Sequence, residues 1–406
     1  MDIGPILSTL RRHKIAAALI VLEIALSCAI ICNAVFLISE RVKRIDIPSG
    51  IAEQELVNVQ LTGIGTDDNA DALTREDLAA LRGIPGVSAV AVTNQIPFGN
   101  SSWNSGVSLQ PDQKVETLNA TTYMGSEGLR ATLGARLVAG RDFLASEYSD
   151  YDPTKSGEVR NGVAIISQAM AQRLFPGKSG VGEVFYFGDD KPITVIGVVD
   201  TLIRPYFGPS DMKPHDSILL PVRAAYTMGG YYVLRTTPDQ RERVIKDAAA
   251  VLERNNPNRI ILEKRTFEEI RAKFFRQDRS MVWLLVAVCA ALLVVTALGI
   301  VGLASFWVQQ RTKQIGVRRA LGATRGQILR YFQTENFLLA TLGIVIGMLG
   351  AYAINQLLMG KYELPRLPML YLPVGALTLW LLGQLSVLGP ARRAAAVPPA
   401  VATRSV

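Results

Sequence analysis

The stretch of this 406-residue chain that comes nearest to a reactive motif is Pro176-Gly177-Lys178-Ser179. A Gly-Lys-Ser ending suits a phosphate-binding loop, in which backbone N–H groups wrap the phosphates. That loop also needs a glycine five residues before the Gly-Lys glycine. Position 172 is Gln172, so ATP binding is not expected here. The two histidines, His13 and His215, support neither a His-rich metal site nor a His-based triad. Acidic residues of the middle region fall at no spacing that singles out a pair. The chain reads as catalytically inert, with no metal and no cofactor of its own.

Its chemistry is that of charge placement. Arg311–Arg330, RTKQIGVRRALGATRGQILR, holds six Lys/Arg and no acid and lies between two long apolar runs. Apolar neighbours on both sides make this a loop at a membrane surface, and its charge puts it on the cytoplasmic face. Ile315, Val317, Leu321 and Ile328 are expected to form an apolar stripe at roughly helical spacing, with Arg318, Arg319, Arg325 and Arg330 in water. A short amphipathic helix held under a bilayer suits docking of a soluble partner; a stop-transfer loop that only sets topology is the plainer alternative. Net charge is +8, but its location argues for a membrane and against nucleic acid.

Polar groups inside the apolar runs form a second class. Glu23 sits mid-run in ALIVLEIALSC, where a charge costs about 2.5–3.5 kcal/mol on insertion scales, so it is expected to face protein or be neutral. Glu335 and Asn336 lie near the cytoplasmic end of the third run and can reach the preceding loop. Gly343 and Gly347 form a GxxxG pair for close helix contact, within one subunit or between two. All three cysteines, Cys28, Cys32 and Cys289, fall in apolar runs and read as packing residues.

The elements that position these residues follow from hydropathy. Mean hydropathy is +0.23, and 49% of residues are apolar. Residues 15–39, 281–308, 332–358 and 370–389 are each expected to cross the bilayer, which takes roughly 20 helical residues. The first is too long for a signal peptide and lacks a cleavage site. Basic residues at 11, 12 and 14, in the loop 309–331, and at 392, 393 and 404 put both termini (1–14 and 390–406) inside. Arg41, Lys43 and Arg44 are a misfit on the outer side, and residues 359–369 make a short outer hairpin.

Residues 40–279 have soluble composition and read as mixed α/β. Strand-like 55–61, helical 75–81 and strand-like 87–92 are echoed by 231–235, 239–254 and 259–263. One subdomain is therefore expected from both ends of the insert, with a second, about 119–222, between them. Asn94–Lys114 and Ala145–Asn161 read as polar surface loops.

Three stretches carry a family resemblance. Gln309–Glu335 is similar to the loop R-x-x-E-I-G-I-R-R-A-L-G-A-T of MacB/FtsX-type ABC transporter permeases, and Pro390–Arg404 resembles their carboxy-terminal ending. Leu129–Phe143, Val163–Glu183 and Ile193–Thr201 resemble the MacB-like periplasmic core. The resemblance implies four transmembrane helices with a large α/β extracytoplasmic domain, of porter and sabre subdomains, between the first and second. It implies a bacterial inner-membrane location and a coupling loop at Gln314, Ile315, Gly316, Val317, Arg318, Arg319, Leu321, Gly322, Ala323 and Thr324. Gln314 departs from the family's usual Glu. The implied partners are a cytoplasmic ABC ATPase dimer carrying ATP and Mg, a second permease subunit, and in some systems a periplasmic adaptor and outer-membrane channel. The implied activity is efflux of an antimicrobial, peptide or other small molecule. FtsX-like signalling to a cell-wall hydrolase and Lol-like lipoprotein release are the alternatives.

Overall fold

The computed structural model describes residues 14–64, 69–100, 102–151, 162–187, 192–207, 213–362 and 366–398. His13, Arg11, Arg12, the loop residues 152–161 and the carboxy-terminal residues 399–406 lie outside them. The chain divides into a helical unit, running to Asp46 and again from Gln277, and an α/β body, Ile47–Arg276.

Among the described residues the helical unit holds four helices long and apolar enough to cross a membrane: α1 (Lys14–Ile45), α7 (Arg276–Gln310, its first residue counted with the body), α9 (Arg325–Tyr362) and α10 (Tyr371–Ala395). Each outruns the apolar segment that identifies it, because helix propagation continues into polar flanks once the core is fixed. Buried residues make up 56% of the most apolar window of α1 and only 17% of that of α7, so α1 is the central helix. α9 lies directly on it. A Cβ added at Gly347 would meet Cys28 Cβ at 2.5 Å, and one at Gly343 would meet Ile24 Cβ at 2.9 Å. The GxxxG pair thus serves contact within this chain. Cys28 and Cys32 are fully buried beside it, their sulfurs 4.0 Å apart.

The misplaced basic residues after the first run find an acid. Arg41 and Arg44 both pair with Asp278 of α7, and Lys43 pairs with Glu40 at 2.8 Å. All three outer cations are thus paired within the helical unit, with two carboxylates between them.

In the body, a four-stranded antiparallel sheet has the order β13-β1-β12-β2: β1 (Leu56–Gly63), β2 (Ala89–Thr93), β12 (Tyr231–Arg235) and β13 (Arg259–Thr266). Alternate residues Val57, Val59, Val90, Val92, Tyr232 and Leu234 share one face, as a period of two requires. Two amphipathic helices cover that face, α2 (Ala70–Arg82) with Leu78 and Leu81, and α5 (Arg241–Asn255) with Val244, Ile245, Ala248 and Leu252. Both ends of the insert build this sheet.

The middle forms a second sheet, β3-β4-β10-β7-β9-β5 with β8 on β9, from β3 (Asn104–Val107), β4 (Leu118–Met124), β5 (Leu137–Gly140), β7 (Val163–Ser167), β8 (Val184–Tyr186), β9 (Pro192–Val199) and β10 (Ser217–Leu220). A short helix α3 (Leu129–Leu133) precedes β5. β7 and β9 run parallel, joined through α4 (Gln168–Leu174), whose N-cap Ser167 accepts from the Met170 N–H. A small parallel pair, β6 (Ser149–Asp150) with β11 (Val222–Arg223), lies apart, and α6 (Phe267–Phe274) leads to α7.

Candidate functional site

The basic loop folds into α8 (Thr312–Ala320), and its sequence dictates both ends of the turn that follows. Gly322 stands at φ +95°, a backbone region that favours glycine. The Ala323 N–H bonds Arg318 O at 3.0 Å and the Gly322 N–H bonds Arg319 O at 3.2 Å, the paired closure of a Schellman motif. Thr324 then opens α9 with a capping box: its hydroxyl accepts from the Gln327 N–H at 3.2 Å, and its own N–H donates to Gln327 Oε1 at 2.8 Å. The run Leu-Gly-Ala-Thr-Arg-Gly-Gln therefore specifies a stiff corner. The loop expected at 309–331 is in fact the end of α7, α8, this corner and the first turns of α9.

The expected apolar stripe is split. Ile315 and Ile328 are buried with Phe332, Ala391 and Ala394, so α8 is pinned to α9 and α10. Val317 is 48% exposed and Leu321 84% exposed. The helix is too short and its corner too sharp for all four to face one way. Lys313, Gln314, Arg318, Thr324 and Arg325 are exposed, whereas Gly316 is buried and Ala323 half-buried. Arg318 lies over the Tyr331 ring at 5.0 Å. Arg319 is half-buried rather than fully in water, because it donates to Ala323 O at 3.2 Å.

Behind α8 sits a polar knot. Arg311, counted among the loop cations, is buried; its Nη1 donates to both Glu335 oxygens, at 3.1 and 2.9 Å, and its guanidinium lies 5.6 Å from the Trp307 ring. Among the described residues Trp307 Nε1, Arg311 Nη2 and Asn336 Nδ2 have no hydrogen-bond partner. Trp307, Glu335 and Asn336 line a cavity of about 10 Å³ shared with Ile20, Ile300 and Val387, so all four long helices contribute. Arg311 and Trp307 escaped the sequence reading, since a basic loop residue and an apolar-run tryptophan look ordinary until α7 and α9 are laid together.

The other sequence candidates are placed elsewhere. Glu23 is half-buried, its carboxylate against Gly299 of α7, where an added Cβ would lie 2.4 Å from Oε2. One turn on, the Ser27 and Thr296 hydroxyls are 2.8 Å apart. In the body, Lys178 of the Gly-Lys-Ser run pairs with Glu183 at 2.8 Å, and the run follows α4 instead of opening a helix. A phosphate loop needs the reverse order.

Comparison with known proteins decides the family. Residues 18–251 match the MacB-like periplasmic core domain, and residues 286–399 match the FtsX-like permease C-terminal family. This chain belongs to the MacB/FtsX family of ABC transporter permeases. The chain is 25% identical over 305 residues to the uncharacterized ABC transporter permease YknZ of Bacillus subtilis, covering 70% of this permease and 68% of the relative. It is 25% identical over 357 residues to the macrolide export ATP-binding/permease protein MacB of Rhodospirillum rubrum, covering 86% of this permease and 51% of the relative. This permease thus spans about half the length of that relative. The periplasmic region of MacB from Actinobacillus actinomycetemcomitans aligns with 55% of this permease and 94% of its own length at 14% identity, TM-score 0.35. Family membership and four spanning helices make this permease a multi-pass protein of a bacterial inner membrane, with the α/β body outside the cytoplasm.

Proposed function

We propose that this permease couples ATP hydrolysis by a separate cytoplasmic ATPase dimer to movement of its α/β body, and that the work done is export of an antimicrobial, a peptide or another small molecule. The partner binds ATP and Mg, it docks on α8, and a second permease subunit completes the transporter. Both termini and α8 then lie in the cytoplasm. The observation that carries this reading is the two-sidedness of α8. Ile315 and Ile328 anchor it, while Val317 and Leu321 stand in solvent among Lys313, Arg318 and Arg325. An apolar pair ringed by cations on a capped helix is a surface for a groove with an acidic rim. Export is supported by the name of the Rhodospirillum rubrum relative.

The test is a double variant, Arg318→Glu with Leu321→Glu. Both side chains are exposed and neither closes the corner. In the complex that co-purifies with the tagged permease, reconstituted in liposomes, permease-stimulated ATP hydrolysis is expected to fall at least about tenfold, with thermal stability unchanged. Undiminished stimulation overturns docking at α8.

A further inference from the structure

The body joins the helical unit through two peptide connections, Asp46–Ile47 and Arg276–Gln277. Movement of either flanking helix therefore enters the body at Ile47 or at Arg276. One side chain grips the body beside both points. Arg271, on α6, donates from Nη2 to the Ile47 carbonyl at 2.6 Å and from Nη1 to Glu53 Oε1 at 2.6 Å. Its guanidinium carbon lies 5.6 Å from the centre of the Phe275 ring and 5.0 Å from that of Phe98. The pair with Glu53 is mostly shielded from water, both side chains being under 20% exposed. A planar cation can bond in its plane while stacking on its faces, which a lysine cannot do.

Phe98 adds an independent observation. Its φ is +62°, a left-handed conformation in which a bulky side chain is an outlier, and it is nonetheless 3% exposed. Its ring stands 5.6 Å from those of both Phe274 and Phe275. Phe207 closes the cluster 5.2 Å from Phe274. Phe98 lies on the crossing from β2 of the first sheet to β3 of the second, and Phe207 lies between β9 and β10 of the second sheet. The Ile203 N–H, in that same β9–β10 segment, donates to Ser49 O at 2.9 Å. The first and last segments of the body and the path between its two sheets therefore meet around one guanidinium.

We propose that Arg271 is the positioning residue through which movement of the flanking helices enters the body: it locks Ile47 to Phe275 so that the two segments move together, and the strained Phe98 passes that movement to the second sheet. This rests on the coupling reading above. It goes beyond that reading by naming where force is received.

The experiment is hydrogen–deuterium exchange on the co-purified complex, with and without the non-hydrolysable ATP analogue AMP-PNP, with ATP hydrolysis measured on the same preparations. Wild-type permease is expected to show a nucleotide-dependent change in exchange at residues 94–99 and 202–207. In Arg271→Met, which keeps an aliphatic stem, that change is expected to shrink about fivefold or more while stimulated hydrolysis is retained. A purely structural role would alter exchange equally with and without nucleotide. Should Arg271→Met fail to fold, Arg271→Lys serves, because it keeps the charge but not the paired bonds to Ile47 and Glu53. An undiminished change in the variant, with hydrolysis still stimulated, overturns the clamp alone. Absence of stimulation in the wild-type complex overturns the coupling reading and the clamp with it. Absence of any nucleotide-dependent change at 94–99 in a stimulated wild-type complex overturns the clamp.

Discussion

Two carboxylates buried to the same degree are served very differently in the two units. Asp77 of the body is fully buried and accepts from Tyr232 Oη at 2.6 Å, from Asn255 Nδ2 at 3.1 Å and from both terminal nitrogens of Arg259. Burial first, and then the Asp77 carboxylate, push the Tyr232 hydroxyl well above its usual pKa. Glu335 of the helical unit is 1% exposed and accepts from one nitrogen of Arg311, with three donors nearby left without partners among the described residues. A carboxylate held by four donor atoms from three side chains fixes one arrangement, even though Arg259 Nε has no partner among the described residues. One beside uncommitted donors can exchange partners as helices shift. The surroundings of Asp77 read as a rigid part of the body and the knot behind α8 as a part able to rearrange.

The largest expected effect breaks that comparison most directly. Asp77→Ala leaves the Arg259 guanidinium, 2% exposed, without its counter-charge, and removing one partner of a buried pair costs about 3–5 kcal/mol. Thermal unfolding of the detergent-solubilised protein should show the body melting well before the helical unit. Glu335→Gln should cost less, about 2 kcal/mol, because a single charge-assisted link is lost and the amide can still accept from Arg311. If Glu335→Gln proves as destabilising as Asp77→Ala, the knot is as rigid as the body. Asn336→Leu sharpens the point. The cavity, about 10 Å³ and bordered by Trp307, Glu335 and Asn336, is just large enough for one water. Removing one of its polar partners should therefore lower stability by about 1 kcal/mol. A rise in melting temperature would mark it as a dry void that leucine fills.

How much of this could be read beforehand depends on whether the signal is local. The four spans and the sheet made from both ends of the insert follow from hydropathy and from a period of two, which neighbouring residues carry by themselves. The corner at Gly322 and Thr324 is local too, a glycine in the left-handed region followed by a capping box. The outward turn of Val317 and Leu321 was not legible. Periodicity gives one stripe, and only the packing of Ile315 against Ala391 and Ala394, some seventy-five residues away, decides which apolar residues are used inside. Arg271 is further from reach: Phe275, four residues on, follows from helical spacing, but no spacing rule brings residues 47, 53 and 98 to it.

The smallest predicted effect is one of pH, and it separates the units again. His215 lies in the body, between the segment after β9 and β10, half-buried, with Nδ1 lacking a partner among the described residues. Burial holds its pKa below the ordinary value. Among the described residues the neighbouring Asp216 is paired through Oδ2 with Arg173, and the Ser167 hydroxyl donates to the His215 carbonyl instead of the ring. The sign follows. Above about pH 6.5 the ring is neutral both folded and unfolded, and His215 leaves stability unchanged. As pH falls below that, the unfolded chain takes up a proton that the folded body refuses until its lower pKa is reached, so stability declines through that window with a slope of at most about 1.4 kcal/mol per pH unit. His215→Gln should flatten the decline in the melting transition of the body as pH falls below about 6.5, while the transition of the helical unit keeps its slope. An unchanged decline in the variant would assign the acid sensitivity of the body to groups other than His215.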